Sequence, residues 1–290
     1  MEKNDFNPDL LNDLVAKQVV IFIGSGLSSG TAVSLPGWEK FLLDASEKLP
    51  PIEKAISKKL ICEGDFLLSC DVIKNHLKDE WQDLISAEFG KVPQSSELHE
   101  EIKKLNQRII VTTNFDKIIE KFWNDGTYNG GSNFRPMTQI DGKSFRFLRG
   151  EDGVIIKLHG CIDKADDIIF SKTEYIRKAY SSDYYRKLVE SLLLNYTILF
   201  VGFSMTDPAI SQLMELYTNQ FSNVRPHWII HPTEDPVELA EFRNKHRKLK
   251  SITYEGSRDH YNLLPLLKSL TQQYEIRRRL YISDYIAKNT

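Results

Sequence analysis

An open α/β fold is what this 290-residue sequence predicts: a mostly parallel sheet with helices on both faces and an inserted helical module. Two observations predict it. Short runs rich in Val, Ile and Phe recur at Val19 to Ile23, Ile109 to Val111, Val154 to Ile156, Ile198 to Val201 and Trp228 to Ile230. Strands buried on both faces read as continuous apolar runs, the habit of parallel sheets. Helix-length amphipathic stretches separate these runs, as the crossovers between parallel strands require.

Each element follows in order. The run at Val19 leads straight into a glycine-rich turn, the strand-to-helix opening of a Rossmann-like sheet. Between Pro36 and Leu105 the pattern turns helical, including Gly37 to Leu49 and Asp65 to Phe89. That stretch is too long for one crossover helix, so a helical module packed against the sheet, with the option of roofing a cleft, is expected there. From Pro236 onward two or three helices should surround a last short strand at Ser251 to Tyr254, and Gln272 to Lys288 reads as a partly exposed helix. No repeat or low-complexity linker divides the chain. It is read as one domain over residues 1–290, with an insertion at about 36–105 and a helical C-terminal segment at about 236–290.

Composition excludes several classes of function. Hydrophobic residues make up 41% and charged residues 27%, which describes a folded globular chain rather than a disordered one. A net charge of −2 lacks the cationic excess that drives attachment to phosphate backbones. The basic residues Arg243, Lys245, Arg247, Lys248 and Lys250, and the run Arg277 to Arg279, read as solvated helix faces, so direct nucleic-acid binding is not expected. No apolar run spans a bilayer and the N-terminus has no apolar targeting segment, so a cytoplasmic protein without membrane contact is expected. Cys62, Cys70 and Cys161 are too few for a four-thiolate zinc site and too scattered for a disulfide framework. No metal is expected.

Four strand ends carry polar chemistry. The first is Gly24-Ser25-Gly26-Leu27-Ser28, where glycines would let a pyrophosphate approach the backbone and the next helix would offer its N–H groups. A plain strand-to-helix turn is the alternative, since Ser29 stands where GxGxxG has its third glycine. The second is Thr112-Thr113-Asn114-Phe115-Asp116, at the edge where open parallel sheets bind ligands. A helix cap explains the same residues. The third is Leu158-His159-Gly160, where an imidazole near neutral pKa could act as a base or simply end a strand with a hydrogen bond. The fourth is Gly202-Phe203-Ser204-Met205-Thr206-Asp207-Pro208, in which Gly202 and Ser204 could touch a ribose or phosphate, while Asp207 or Thr206 caps the following helix. A fifth strand ends at His231-Pro232, a polar end that could meet an adenosine ribose.

In this order the four motifs resemble those of the sirtuin superfamily: GSGLS its glycine turn, TTNFD its TQN[IV]D, LHG its HG, and GFS its GTS. The resemblance runs from about Val19 to His231 and is closest to bacterial sirtuin-like domains of antiviral defence proteins. It implies NAD⁺ as substrate and Asn114 and His159 as the catalytic pair, with Asp116 near the nicotinamide carboxamide. It also implies cofactor contacts from Gly24, Ser25, Gly26, Leu27, Ser28, Trp38, Thr113, Gly202, Phe203, Ser204 and His231. Two departures bear on the reaction. The zinc module of protein-deacylating sirtuins cannot be built, and Leu35-Pro36-Gly37-Trp38 replaces their PDFR, as Thr113 replaces the Gln of TQN. Both weaken acyl-peptide handling and leave NAD⁺ hydrolysis, as in the defence type.

The expected reaction releases nicotinamide and ADP-ribose in an anti-phage response that depletes NAD⁺. Rival readings are an NAD⁺- or ADP-ribose-binding module without turnover, a protein deacylase, and a dehydrogenase, for which Asp44 has the spacing but lies in a helical pattern. The resemblance further implies a separately encoded partner such as a HerA-type translocase ATPase. A homo-oligomer is also expected, with Tyr281, Ile282, Tyr285 and Ile286 as a contact face and activity awaiting a trigger.

Overall fold

The computed structural model describes residues 6–31, 35–94, 96–124, 134–150, 153–205, 207–221, 223–233, 237–256 and 260–289. Helix α1 (Pro8–Val15) begins at Asn7, whose side chain accepts from the Asp9 amide. Strand β1 (Val19–Ile23) passes directly into the short α2 (Ser25–Ser29). Then come α3 (Trp38–Ser46), α4 (Pro51–Cys62), α5 (Phe66–Leu77), α6 (Asp79–Phe89) and α7 (Glu97–Lys104). The helical stretch expected over Asp65 to Phe89 comprises two helices, because Lys78 at φ 47° leaves the helical region and turns the chain.

Strand β2 (Ile109–Thr112) is followed by α8 (Ile118–Asn124), β3 (Arg135–Met137), α9 (Arg146–Arg149) and β4 (Val154–Lys157). A single turn, α10 (Lys172–Glu174), runs into a π-helical segment over Tyr175–Tyr180 and then α11 (Asp183–Asn195). The chain continues through β5 (Thr197–Val201), α12 (Pro208–Gln220), β6 (His227–Pro232), α13 (Val237–His246), β7 (Leu249–Tyr254) and α14 (Leu263–Asn289). Strand β3 escaped the sequence pattern for a physical reason. It is a three-residue edge strand with exposed Arg135 and a proline, the one residue that cannot donate to a ladder.

The strands form one sheet in the order β3-β4-β2-β1-β5-β6-β7, with every pairing parallel. This bears out the expected Rossmann-like α/β class. Strand β1 lies in the middle, β2 pairs on one side of it and β5 on the other, so the strand order reverses between β1 and β5. Loops diverge at such a point and leave a crevice at the carboxyl edge.

Side chains of β1 alternate between two cores. Val19, Ile21 and Ile23 join Phe41, Ile73, Trp81, Leu267 and Tyr274, drawn from the helices between β1 and β2 and from α14. Val20 and Phe22 join Leu188, Leu192, Ile210 and Met214 from α11 and α12. Each such side chain removed from water contributes roughly 1.5–3 kcal/mol before entropy is counted. Helix α14 starts at Leu263 rather than Gln272 because its first half buries Leu266, Leu267, Leu270 and Tyr274. Among the described residues no helix is long and apolar enough to cross a membrane.

Candidate active site

All four strand-end motifs lie at the carboxyl edge of the parallel sheet. The glycine turn and the loop after β5 meet backbone to backbone. The Gly24 amide donates to the Val201 carbonyl at 2.9 Å and the Gly26 amide to the Gly202 carbonyl at 2.8 Å. These two glycines therefore first let two loops touch at the switch point. Leu27 is fully buried in the core, and its amide turns back to the Gly24 carbonyl at 3.2 Å.

Asn114 is 7% exposed and is held by its neighbours in space. Its amide accepts a place in the turn by donating to Thr112 Oγ1 at 2.9 Å. Its Nδ2 donates to the Gly24 carbonyl and to Ser28 Oγ, each at 3.1 Å, and Ser28 Oγ donates onward to Asp116 Oδ2 at 3.1 Å. With both Nδ2 hydrogens committed inward, Oδ1 is the atom left to accept from a ligand or water. Asp116 Oδ1 receives the Ile118 amide at 2.9 Å, the Asx turn that the capping alternative foresaw. Burial pushes the Asp116 carboxyl above its usual range, opposed by the charge of Lys157 and by donors from Ile118 and Ser28. Lys157, wholly buried on β4, donates to the Asp116 carbonyl and pairs with Glu120 at 2.6 Å, tying this turn to the next strand.

The register of β2 on β4 pairs Thr112 with Lys157. Asn114 and His159 each stand two residues beyond that pair, so adjacent strands deliver them to the same level of the edge. His159 is 2% exposed. Its Nε2 lies 3.3 Å from the Tyr185 hydroxyl and 3.4 Å from Asp207 Oδ2, and the Tyr175 hydroxyl donates to that same carboxylate oxygen at 2.6 Å. Burial lowers the His159 pKa below the ordinary imidazole value, and the Asp207 carboxylate works against that fall. Gly160, at φ +80°, turns the chain where a Cβ would meet the Asp167 carbonyl at 2.6 Å.

Other expected site residues gather on the β5–β6 side. A cleft of about 550 Å³ is lined by Ser25, Gly26, Gly202, Ser204 and His231 together with Arg243 and Arg247. His231 is anchored in it, Nδ1 at 2.8 Å from the Pro232 carbonyl and Nε2 at 2.9 Å from Ser251 Oγ. Phe203 touches the cleft but is mainly a core residue, its ring 4.9 Å from that of Phe22. Trp38 opens α3 and packs edge-on against Phe170 at 4.7 Å, and Thr113 is half-buried between Thr112 and Asn114. Neither Asn114 nor His159 lines this cleft. The loop after β5 bridges the two regions, with Ser204 at the cleft and Asp207 beside His159.

Sequence reasoning did not select Tyr175 or Tyr185, and it read Asp207 only as a cap. The cap is real, since Asp207 Oδ1 accepts the Ile210 amide at 2.9 Å. Thr206, the other cap candidate, lies outside the described residues. The two tyrosines sit in helical stretches with no motif, so nothing local distinguishes them from core aromatics.

Comparison with known proteins gives the family. A model of the SIR2-like domain matches residues 108–254, just over half of the chain. The chain is 25% identical to the NAD(+) hydrolase ThsA of Bacillus cereus (strain MSX-D12), over 95% of its own length and 56% of that protein. It is 25% identical to the NAD(+) hydrolase ThsA of Enterococcus faecium, over 91% of this chain and 57% of the relative. To Defense-associated sirtuin 2 of Bacillus subtilis it is 22% identical, over 79% of this chain and 22% of that protein. The chain spans about half the length of the curated ThsA relatives it matches. The family model covers three of the four strand-end motifs, and the fourth stands with them at the same sheet edge, so the chain belongs to the SIR2-like domain family.

Proposed function

We propose that the chain binds NAD⁺ as substrate and hydrolyses its nicotinamide–ribose bond, releasing nicotinamide and ADP-ribose. The observation that carries this reading is the delivery of Asn114 and His159 to one level of the sheet edge, beside a glycine turn, by the β2–β4 register. The ThsA relatives are named NAD(+) hydrolases, which supports it. In this proposal the cleft, whose size suits a nucleotide, takes the adenosine half through Ser25, Gly26, Gly202, Phe203, Ser204 and His231. Gly24, Leu27 and Ser28 shape the phosphate turn, and Trp38 and Thr113 border the nicotinamide half.

Nicotinamide leaves as a neutral molecule from a cationic ring, so no general acid is required. What remains is to place a nucleophile under an oxocarbenium-like sugar and to receive its proton. Asn114 Oδ1 orients the water and His159 takes the proton, while Asp116, held by Ser28, fixes the turn facing the carboxamide. The reaction so written needs no metal.

We further propose that residues 1–290 act as one NAD-binding domain in the cytoplasm, as a homo-oligomer in anti-phage defence by NAD⁺ depletion, with a separately encoded partner such as a HerA-type ATPase. Exposures of 7% for Asn114 and 2% for His159 favour a resting state that a trigger opens. The same burial keeps alive a second reading, a module that binds NAD⁺ or ADP-ribose without turnover.

The test is nicotinamide release from NAD⁺ by the purified chain, alone and with its genomic neighbour. Asn114→Ala and His159→Ala should each lose about 100-fold or more while keeping the circular-dichroism spectrum of the parent. Full activity in both variants rejects the site, and tight NAD⁺ binding without release in every condition moves the reading to the binding module.

A further inference from the structure

We propose that Asp207 is a positioning residue for His159: its carboxylate holds the imidazole with the proton on Nε2 and leaves Nδ1 to take a proton from water or a ribose hydroxyl. A helix cap alone does not call for this residue. Ser, Thr or Asn would accept the Ile210 amide as well as Asp207 Oδ1 does, without burying a negative charge. The second oxygen is the informative one. Oδ2 receives the Tyr175 hydroxyl at 2.6 Å and lies 3.4 Å from His159 Nε2, with the Asp207 side chain 7% exposed. A buried carboxylate is costly unless charge-stabilising donors surround it, and an imidazole N–H and a phenol O–H are such donors.

The surroundings of the ring fix its plane and accommodate that tautomer. Tyr175 stands edge-on to the imidazole at 5.1 Å and Tyr185 lies nearly parallel to it at 6.5 Å, so its plane is held from two sides. The Tyr185 hydroxyl, 3.3 Å from Nε2, has an oxygen able to accept from the Nε2–H that the Asp207 carboxylate attracts. The titratable groups facing the imidazole are therefore Tyr175 from the π-helical segment, Tyr185 from α11 and Asp207 at the start of α12. The charge has a second effect. Burial drives His159 toward weak basicity, and the neighbouring anion restores part of what burial removes.

The kinetic consequence rests on the hydrolase reading, whereas the tautomer does not, and the experiment separates the two. The full chain, labelled with ¹⁵N-histidine, is titrated by NMR, with the His159 signals identified by their loss in His159→Gln. The native chain should show the Nε2–H tautomer. In Asp207→Asn the imidazolium loses its anionic partner, so the His159 midpoint moves to lower pH. In Tyr175→Phe the carboxylate loses a donor that disperses its charge, so the midpoint moves to higher pH. Loss of packing does not produce opposite shifts. Asp207→Ser, which keeps a capping oxygen, should shift as Asp207→Asn does and guards against misfolding of the first variant. Nicotinamide release should fall about 10- to 100-fold in Asp207→Asn, its acid limb moving down in step with the NMR midpoint. An Nδ1–H tautomer in the native chain, or an unmoved midpoint in both Asp207 variants, overturns the proposal. If no variant and no native protein releases nicotinamide, the hydrolase reading fails while the NMR result still decides the role of Asp207.

Discussion

Gly24 has no room for a side chain. A Cβ there would stand 2.3 Å from the Gly202 carbonyl oxygen, and one at Gly26 would stand 2.9 Å from the same atom. Gly202 returns the constraint, since at φ +63° its own Cβ would meet the Leu27 amide at 2.6 Å. The sequence reading gave Gly24 and Gly26 to an approaching pyrophosphate, and the neighbouring backbone needs the same small residues. Gly24→Ala should cost about 1–3 kcal/mol by overpacking, read as a lower urea midpoint. Gly37→Ala, with nothing within 4 Å of the added carbon, should stay within about 0.5 kcal/mol of the parent. Equal midpoints in the two variants would remove the loop contact from the account. Asn114 and His159 were legible as candidates because each stands three residues beyond the end of an apolar run, where the strand gives way to a polar turn. The burial of Ser28 between Asn114 and Asp116 was not, since those partners lie more than eighty positions away in sequence.

At the scale of elements, α5 does more than fill the gap between β1 and β2. Asp71 Oδ2 accepts both the Thr173 amide at 3.0 Å and its hydroxyl at 3.1 Å, and Lys74 pairs with Glu174. Glu174 in turn receives the Phe170 and Ser171 amides, each at 2.9 Å, closing a capping box with Ser171. The insertion thereby holds the turn that introduces Tyr175, and through it the partners of His159. Asp71→Ala should remove about 1 kcal/mol of local stability, seen as roughly fivefold faster hydrogen exchange at the Thr173 amide with α5 itself unchanged. Unaltered exchange at Thr173 would show that the clasp holds nothing. Periodicity made the helices of this region readable but not the break at Lys78, because a single positive φ leaves no mark in an amphipathic pattern. The edge strand β3 and the π-helical segment were invisible for a different reason: three residues with a proline, and one altered helical turn, are too short to leave a periodic pattern.

For the whole molecule, α14 divides into a buried first half and a second half on which Ile276, Leu280 and Tyr281 are 54%, 54% and 59% exposed. The contact face expected at Tyr281, Ile282, Tyr285 and Ile286 is exposed as well. Truncation at Gln272 would also delete Tyr274, which is fully buried, so the informative cut falls after Glu275. Removing residues 276–290 should leave the unfolding midpoint of dilute protein nearly unchanged, because little core is lost, and should lower the particle mass by light scattering. An unchanged mass would exclude assembly through this helix. By itself the sequence determined the α/β class, five of the parallel strands nearly to the residue, the last strand in part, and the strand ends at which chemistry gathers. It could do so because strands buried on both faces must be apolar throughout, and the polar residues that follow them fall at the carboxyl edge whatever the strand order. Only the tertiary structure decided that β4 lies beside β2, that the β1 and β5 loops fuse at Gly24 and Gly202, and that Tyr175, Tyr185 and Asp207 close around His159. Those contacts join groups far apart along the chain, so the packing of whole elements selects them rather than any local preference of the residues themselves.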